Sequence, residues 1–147
     1  MNKLSPVAYL SLFWIMVSCA VEPAEINYGK DACHFCKMTI VDRQHAAQLV
    51  TRKGKQFKYD AVECLLNDLS ERGLDRKGLY LVADYSDPGV LTDATNATFL
   101  ISKEIKSPMG AFLSAFSSSL TAEEARDGHG GDLYTWDEIL EKFEVNR

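Results

Sequence analysis

Between Gln56 and Leu69 the apolar pattern changes period, and that change limits the fold more than any other feature of the chain. Residues 56–59 alternate as a half-buried strand does, whereas Val62, Leu65, Leu66 and Leu69 recur at helical spacing. Just upstream, residues 46–52 read as a strand joined to 56–59 by the tight turn Lys53-Gly54-Lys55. Asp60 with Glu63 three residues on predicts a capping box at the helix start, and Gly73 ends the helix. Leu79-Tyr80-Leu81-Val82-Ala83 reads as a buried strand. Strands that pair locally and carry a helix on one face define an α+β protein.

The turn Ser86-Asp87-Pro88-Gly89 marks a boundary between two halves, 31–85 and 86–147. Beyond it, residues 98–102 and 110–117 read as strands. Thr121 with Glu124 caps a short helix that stops at Gly128-His129-Gly130-Gly131. Residues 133–136 read as a last strand, followed by a helix from Asp137 to about Phe143. Asp60-Ala61-Val62-Glu63 and Thr121-Ala122-Glu123-Glu124 fall at similar points, a faint internal duplication.

At 147 residues, with 46% hydrophobic and 25% charged residues, the composition is globular. The net charge of −5 and the lack of a basic stripe exclude nucleic acid as a partner. Ahead of the domain, Lys3 is followed by an apolar run from Val7 to Val17, far short of the roughly 20 residues that span a bilayer. It reads as a secretory signal over residues 1–18, and Met16-Val17-Ser18-Cys19 resembles a bacterial lipobox. Cys19 is then the lipidated residue, residues 19–30 a tether, and the protein sits on the periplasmic side of a bacterial membrane, where thiols without a purpose do not persist.

The chemistry concentrates in Cys33-His34-Phe35-Cys36-Lys37-Met38. A redox dithiol wants its first thiol at a helix N-terminus, but this pair runs into Met38-Thr39-Ile40-Val41, which reads as a strand. Structural zinc wants four ligands, and Cys64, His34 and His45 supply no second paired motif. A soft ion such as Cu(I) accepts two or three sulfurs, thioethers included. Strand alternation would put Cys36 and Met38 on one face. Cys64 lies outside its helix's main apolar stripe and in the first turns, where the dipole favours a thiolate. Met109 sits in the turn Ser107-Pro108-Met109-Gly110, where a methionine has little core to fill. A membrane-tethered thiol oxidoreductase using Cys33 and Cys36, or a zinc module, stands as the alternative.

Taken in order, the lipobox, Asp31-Ala32-Cys33-His34-Phe35-Cys36-Lys37-Met38, Lys53-Gly54-Lys55, Asp60-Ala61-Val62-Glu63-Cys64, Thr92-Asp93-Ala94 and Ser107-Pro108-Met109-Gly110 resemble the NosL family of nitrous oxide reductase accessory lipoproteins. The resemblance implies two small related ββα-type halves, similar to part of the organomercurial lyase MerB. It implies a copper chaperone rather than an enzyme, one that hands Cu(I) to the machinery assembling the copper centres of nitrous oxide reductase. It also points to Met109 as a copper ligand, assisted by Asp93. The residues themselves favour Cys33, Cys36, Met38 and Cys64, so both sets enter the expectation.

Overall fold

The computed structural model describes residues 22–73, 75 and 78–145. The signal segment and Cys19 lie outside the described residues. No described helix is long and apolar enough to cross a membrane.

The first sheet is antiparallel with strand order β2–β1–β3–β4, built from β1 (Ala47–Val50), β2 (Gln56–Tyr59), β3 (Leu79–Ala83) and β4 (Leu91–Asp93). The central strand β1 is buried at every position, while the edge strand β2 alternates, as strands with two covered faces and one covered face should. The β1–β2 turn closes with Gly54 at φ 81°, a left-handed conformation that glycine adopts without strain. Helix α1 (Val62–Arg72) follows β2 directly and packs on this sheet.

The second sheet has the order β6–β5–β7, from β5 (Thr98–Ile101), β6 (Leu113–Phe116) and β7 (Asp132–Tyr134). Helix α2 (Ser119–His129) covers it, and α3 (Trp136–Lys142) packs beside it. The protein is thus α+β with two small antiparallel sheets. The first sheet runs on past the turn at residues 86–89, because β4 pairs with β3. One apolar cluster joins both sheets: it holds Leu49 of β1 and Leu65 and Leu66 of α1 together with Phe99 of β5, Leu113 of β6 and Ile139 of α3.

Helix starts differ from expectation in an instructive way. No side chain caps α1; Ala61 holds the N-cap position. Asp60 and Glu63, expected to form a capping box, are both buried instead, and Asp60 faces the Val41 amide at 3.4 Å. At α2 the cap is Ser118, which accepts from the Leu120 amide, so the helix begins before Thr121. The capping box forms at α3: Thr135 accepts from the Glu138 amide and Glu138 accepts from the Thr135 amide at 2.7 Å. Trp136, expected at the end of a strand, therefore opens that helix.

The carboxyls of Asp31 and Glu138 titrate below their ordinary range, as does that of Asp42. Lys58, at 2.6 Å, and the Asn27 amide hold Asp31 down, and the Thr135 amide and hydroxyl hold Glu138 down. A lowered folded pKa adds stability that is complete above the unfolded value, about 4, and lost as pH falls through the folded one. The melting temperature should therefore drop between about pH 5 and pH 3, and an Asp31→Asn, Glu138→Gln variant should show a flatter profile in thermal unfolding followed by circular dichroism.

Candidate metal centre

Residues 31–40 form a knuckle rather than the predicted strand. Ala32 and Thr39 bridge in antiparallel fashion, the Cys33 amide donates to the Met38 carbonyl at 2.8 Å, and the Lys37 amide donates to the Cys33 carbonyl at 3.1 Å. Lys37 is left-handed, with φ 67°. A residue in that region breaks the two-residue alternation, so Cys36 and Met38 do not share a strand face. Met38 is 59% exposed. The knuckle docks on the sheet edge through the His34 amide, which donates to the Lys58 carbonyl of β2 at 2.7 Å.

That docking carries the knuckle thiols to the start of α1. The sulfurs of Cys33, Cys36 and Cys64 all lie within 4.8 Å of one another. Cys33 and Cys64 are buried and Cys36 is half-buried; all three are free thiols. Cys64 stands off the apolar stripe of α1 because that side of the helix faces the knuckle, and it is fully buried there.

Electrostatics singles out Cys33. The Cys64 thiol donates to its sulfur; burial opposes the charge, but the amides of Asp60 and Cys36 and the Cys36 thiol donate as well, bringing its pKa down to about 4. Cys64 is pushed up first by holding its own proton toward Cys33 and then by burial. Burial raises Cys36, against the Met38 amide that donates to its sulfur. The surroundings thus favour ionisation of Cys33 over that of Cys36 or Cys64. Burial, reinforced by the Cys33 charge, also lifts the carboxyl of Asp60 above the usual range.

Asp93 and His34 are not grouped with these sulfurs and make contacts of their own. Asp93 caps the 3-10 turn Ala94–Asn96, accepting from the Thr95 amide at 2.9 Å and its hydroxyl at 2.7 Å. His34 stacks on Phe57 at 4.5 Å and receives an Arg72 N–H on Nε2 at 3.0 Å, with burial lowering its pKa. Met109 is 41% exposed on its turn. The turn is moored to the thiol-bearing helix: Ser107 donates to the buried Glu63, the neighbour of Cys64, and accepts from the Phe112 amide at 2.9 Å. Sequence reasoning saw Glu63 only as a cap, and nothing in the spacing of 63 and 107 signals the contact.

Ser107→Ala strands Glu63 in the interior, since its second oxygen is already without a partner. A buried carboxyl stripped of its donor costs about 1–3 kcal/mol. Urea unfolding should show a lowered midpoint of that size, with Ser107→Thr restoring most of it.

A Ser/His/Asp chain also emerges that the sequence does not signal, its members being up to 72 positions apart. His45 Nδ1 lies 3.0 Å from Asp42 and Nε2 lies 3.1 Å from Ser114 on β6. Ser114 is fully buried and His45 is 3% exposed, so no substrate reaches the hydroxyl. The chain clamps the loop after the knuckle to the second sheet.

Three convergent thiols in a small α+β frame, with the most readily ionised of them buried and none of the knuckle pair on a helix, define a class: a protein built around a thiol cluster of metal-holding dimensions. The chain belongs to the NosL family, whose sequence model matches residues 23–143. It is 32% identical over 129 residues to the copper-binding lipoprotein NosL of Stutzerimonas stutzeri, covering 82% of this chain and 67% of that one. Its fold matches the crystal structure of the copper chaperone NosL from Shewanella denitrificans with a TM-score of 0.71 at 24% identity, over 82% of this chain and 96% of that one. The relatives' names describe a binding protein and a chaperone, not enzymes.

Proposed function

We propose that this chain carries Cu(I) as cargo on Cys33, Cys36 and Cys64, moored by a lipid on Cys19 to the periplasmic side of a bacterial membrane, and delivers it to the machinery that builds the copper centres of nitrous oxide reductase. The convergence of the three sulfurs within 4.8 Å supports the ligand set. A trigonal site with metal–sulfur bonds of about 2.3 Å needs sulfurs about 4 Å apart, a small contraction of the arrangement described. Three thiolates suit a soft monovalent ion; tetrahedral zinc needs a fourth donor, and His34, the nearest candidate in sequence, is turned to Arg72 and Phe57. The names of the copper-binding and copper-chaperone relatives support copper itself.

Exposure supports a reading of the remaining roles. Cys36 is the least buried of the three thiols, so exchange begins there. Met38 and Met109 are exposed neutral thioethers, suited to hold the ion while it enters or leaves. Asp93 assists by keeping the end of β4 in shape rather than by touching the ion. A thiol oxidoreductase fits less well, because the thiol that ionises first, Cys33, is only 1% exposed. Anaerobic titration of the reduced, metal-free protein with Cu(I) against a colorimetric chelator tests the reading. One ion retained per chain supports it; no retention, or preferential retention of zinc, overturns it.

A further inference from the structure

A cleft of about 410 Å³ opens beside the knuckle, lined by Thr51, Arg52, Lys53, Lys55, Phe57, Arg72 and one acidic residue, Asp75. The Phe57 ring in its wall has the Arg72 guanidinium 4.4 Å and the Lys55 ammonium 4.8 Å from the ring centroid. His34 of the knuckle packs on the same ring, so cleft and thiol knuckle share a wall. Arg72 is already paired with Asp68 at 2.9 Å, whereas Arg52 and Lys53 are exposed with no ion-pair partner among the described residues.

The cleft belongs to a wider polarity of the molecule. Residues 30–73, which include all three clustered cysteines, hold eight Lys and Arg against six Asp and Glu, while residues 119–145 hold eight Asp and Glu against two Lys and Arg. In a chain of net charge −5, the segment that bears the thiols is therefore slightly basic and the segment of α2 and α3 strongly acidic. Such a field orients an approaching body before contact and speeds encounter with one of opposite charge.

We propose that the cationic cleft is a docking surface for an acidic segment of the protein that exchanges metal with the thiol cluster. Carboxylates of the partner enter the cleft against Arg52, Lys53 and Lys55. The apolar Phe57 floor excludes water from that contact, and the docked partner's own sulfur ligands then face Cys36. The partner assignment rests on the copper-carrier reading, but the docking surface itself does not need metal.

The test uses the full chain, metal-free, in neutral phosphatidylcholine nanodiscs, titrated with hexaglutamate and with hexalysine while amide resonances are followed by NMR. Hexaglutamate should shift Thr51–Lys55 and Arg72, with affinity falling at least tenfold in a Lys53→Glu, Lys55→Glu variant and weakening as salt rises past about 0.1 M. A control, Lys103→Glu, Lys106→Glu, changes the net charge equally on exposed residues away from the cleft and should bind normally. Equal binding of hexalysine, equal loss in the control variant, or stronger response to phosphatidylglycerol vesicles than to hexaglutamate each overturns the proposal, the last pointing to a lipid surface instead. Since no copper is present, a failure here leaves the copper titration standing, and the converse also holds.

Discussion

Cys64→Ser should lower Cu(I) affinity by at least about 100-fold, beyond the 10–100-fold typical of changes outside the metal's own ligands. The sulfur at position 64 is the only one of the three that comes from α1, the others being on the knuckle. Removing it leaves a two-sulfur pair, and the replacement hydroxyl is a hard donor that a soft ion does not favour. The fold should tolerate the change. Serine is close in volume, and its hydroxyl can still donate to the Cys33 sulfur as the thiol does. Chelator competition, with far-ultraviolet circular dichroism to confirm folding, measures the effect. Unchanged affinity in a folded variant would move the copper site away from the thiols and toward Met109.

Phe99→Ala should cost about 3–5 kcal/mol, the largest single-residue loss of stability expected outside the site. Phe99 is fully buried in β5, its ring 5.8 Å from that of Trp136, which lies 5.5 Å from Tyr80 on β3. That ring series spans both sheets, and the same apolar cluster contains residues of each. Truncating it opens a cavity that neither sheet can close alone. Urea unfolding should stay a single transition with a much lower midpoint, because the halves share one core. Two separated transitions, or a loss under about 1 kcal/mol, would contradict a shared core.

Much of this was legible in the residues, for identifiable reasons. The switch of period between Phe57 and Leu69 located β2 and α1, and the β-branched and aromatic run 79–83 located β3, because local pattern and final packing agree there. The angular position of Cys64, off the apolar stripe and in the first turns of its helix, pointed it toward the knuckle. What failed were features decided by tertiary contact. Asp60 and Glu63 look like caps, yet the knuckle and the Ser107 turn draw them inward, where they face the Val41 amide and the Ser107 hydroxyl. The apparent strand after Cys36 gave way to a left-handed Lys37, because the knuckle must reverse to bring Cys33 and Cys36 over Cys64. β4, only three residues long, carries too little pattern to be seen. The cationic cleft escaped notice because Arg72 reaches the β1–β2 hairpin only once α1 has folded.

The buried thiol cluster, as a copper-carrying centre, is tested most directly by X-ray absorption at the copper edge of the Cu(I)-loaded protein. Three sulfur neighbours at about 2.3 Å are expected, dropping to two in Cys64→Ser. A shell of nitrogen or oxygen, or a three-sulfur shell that Cys64→Ser leaves untouched, would show that copper binds elsewhere on the chain.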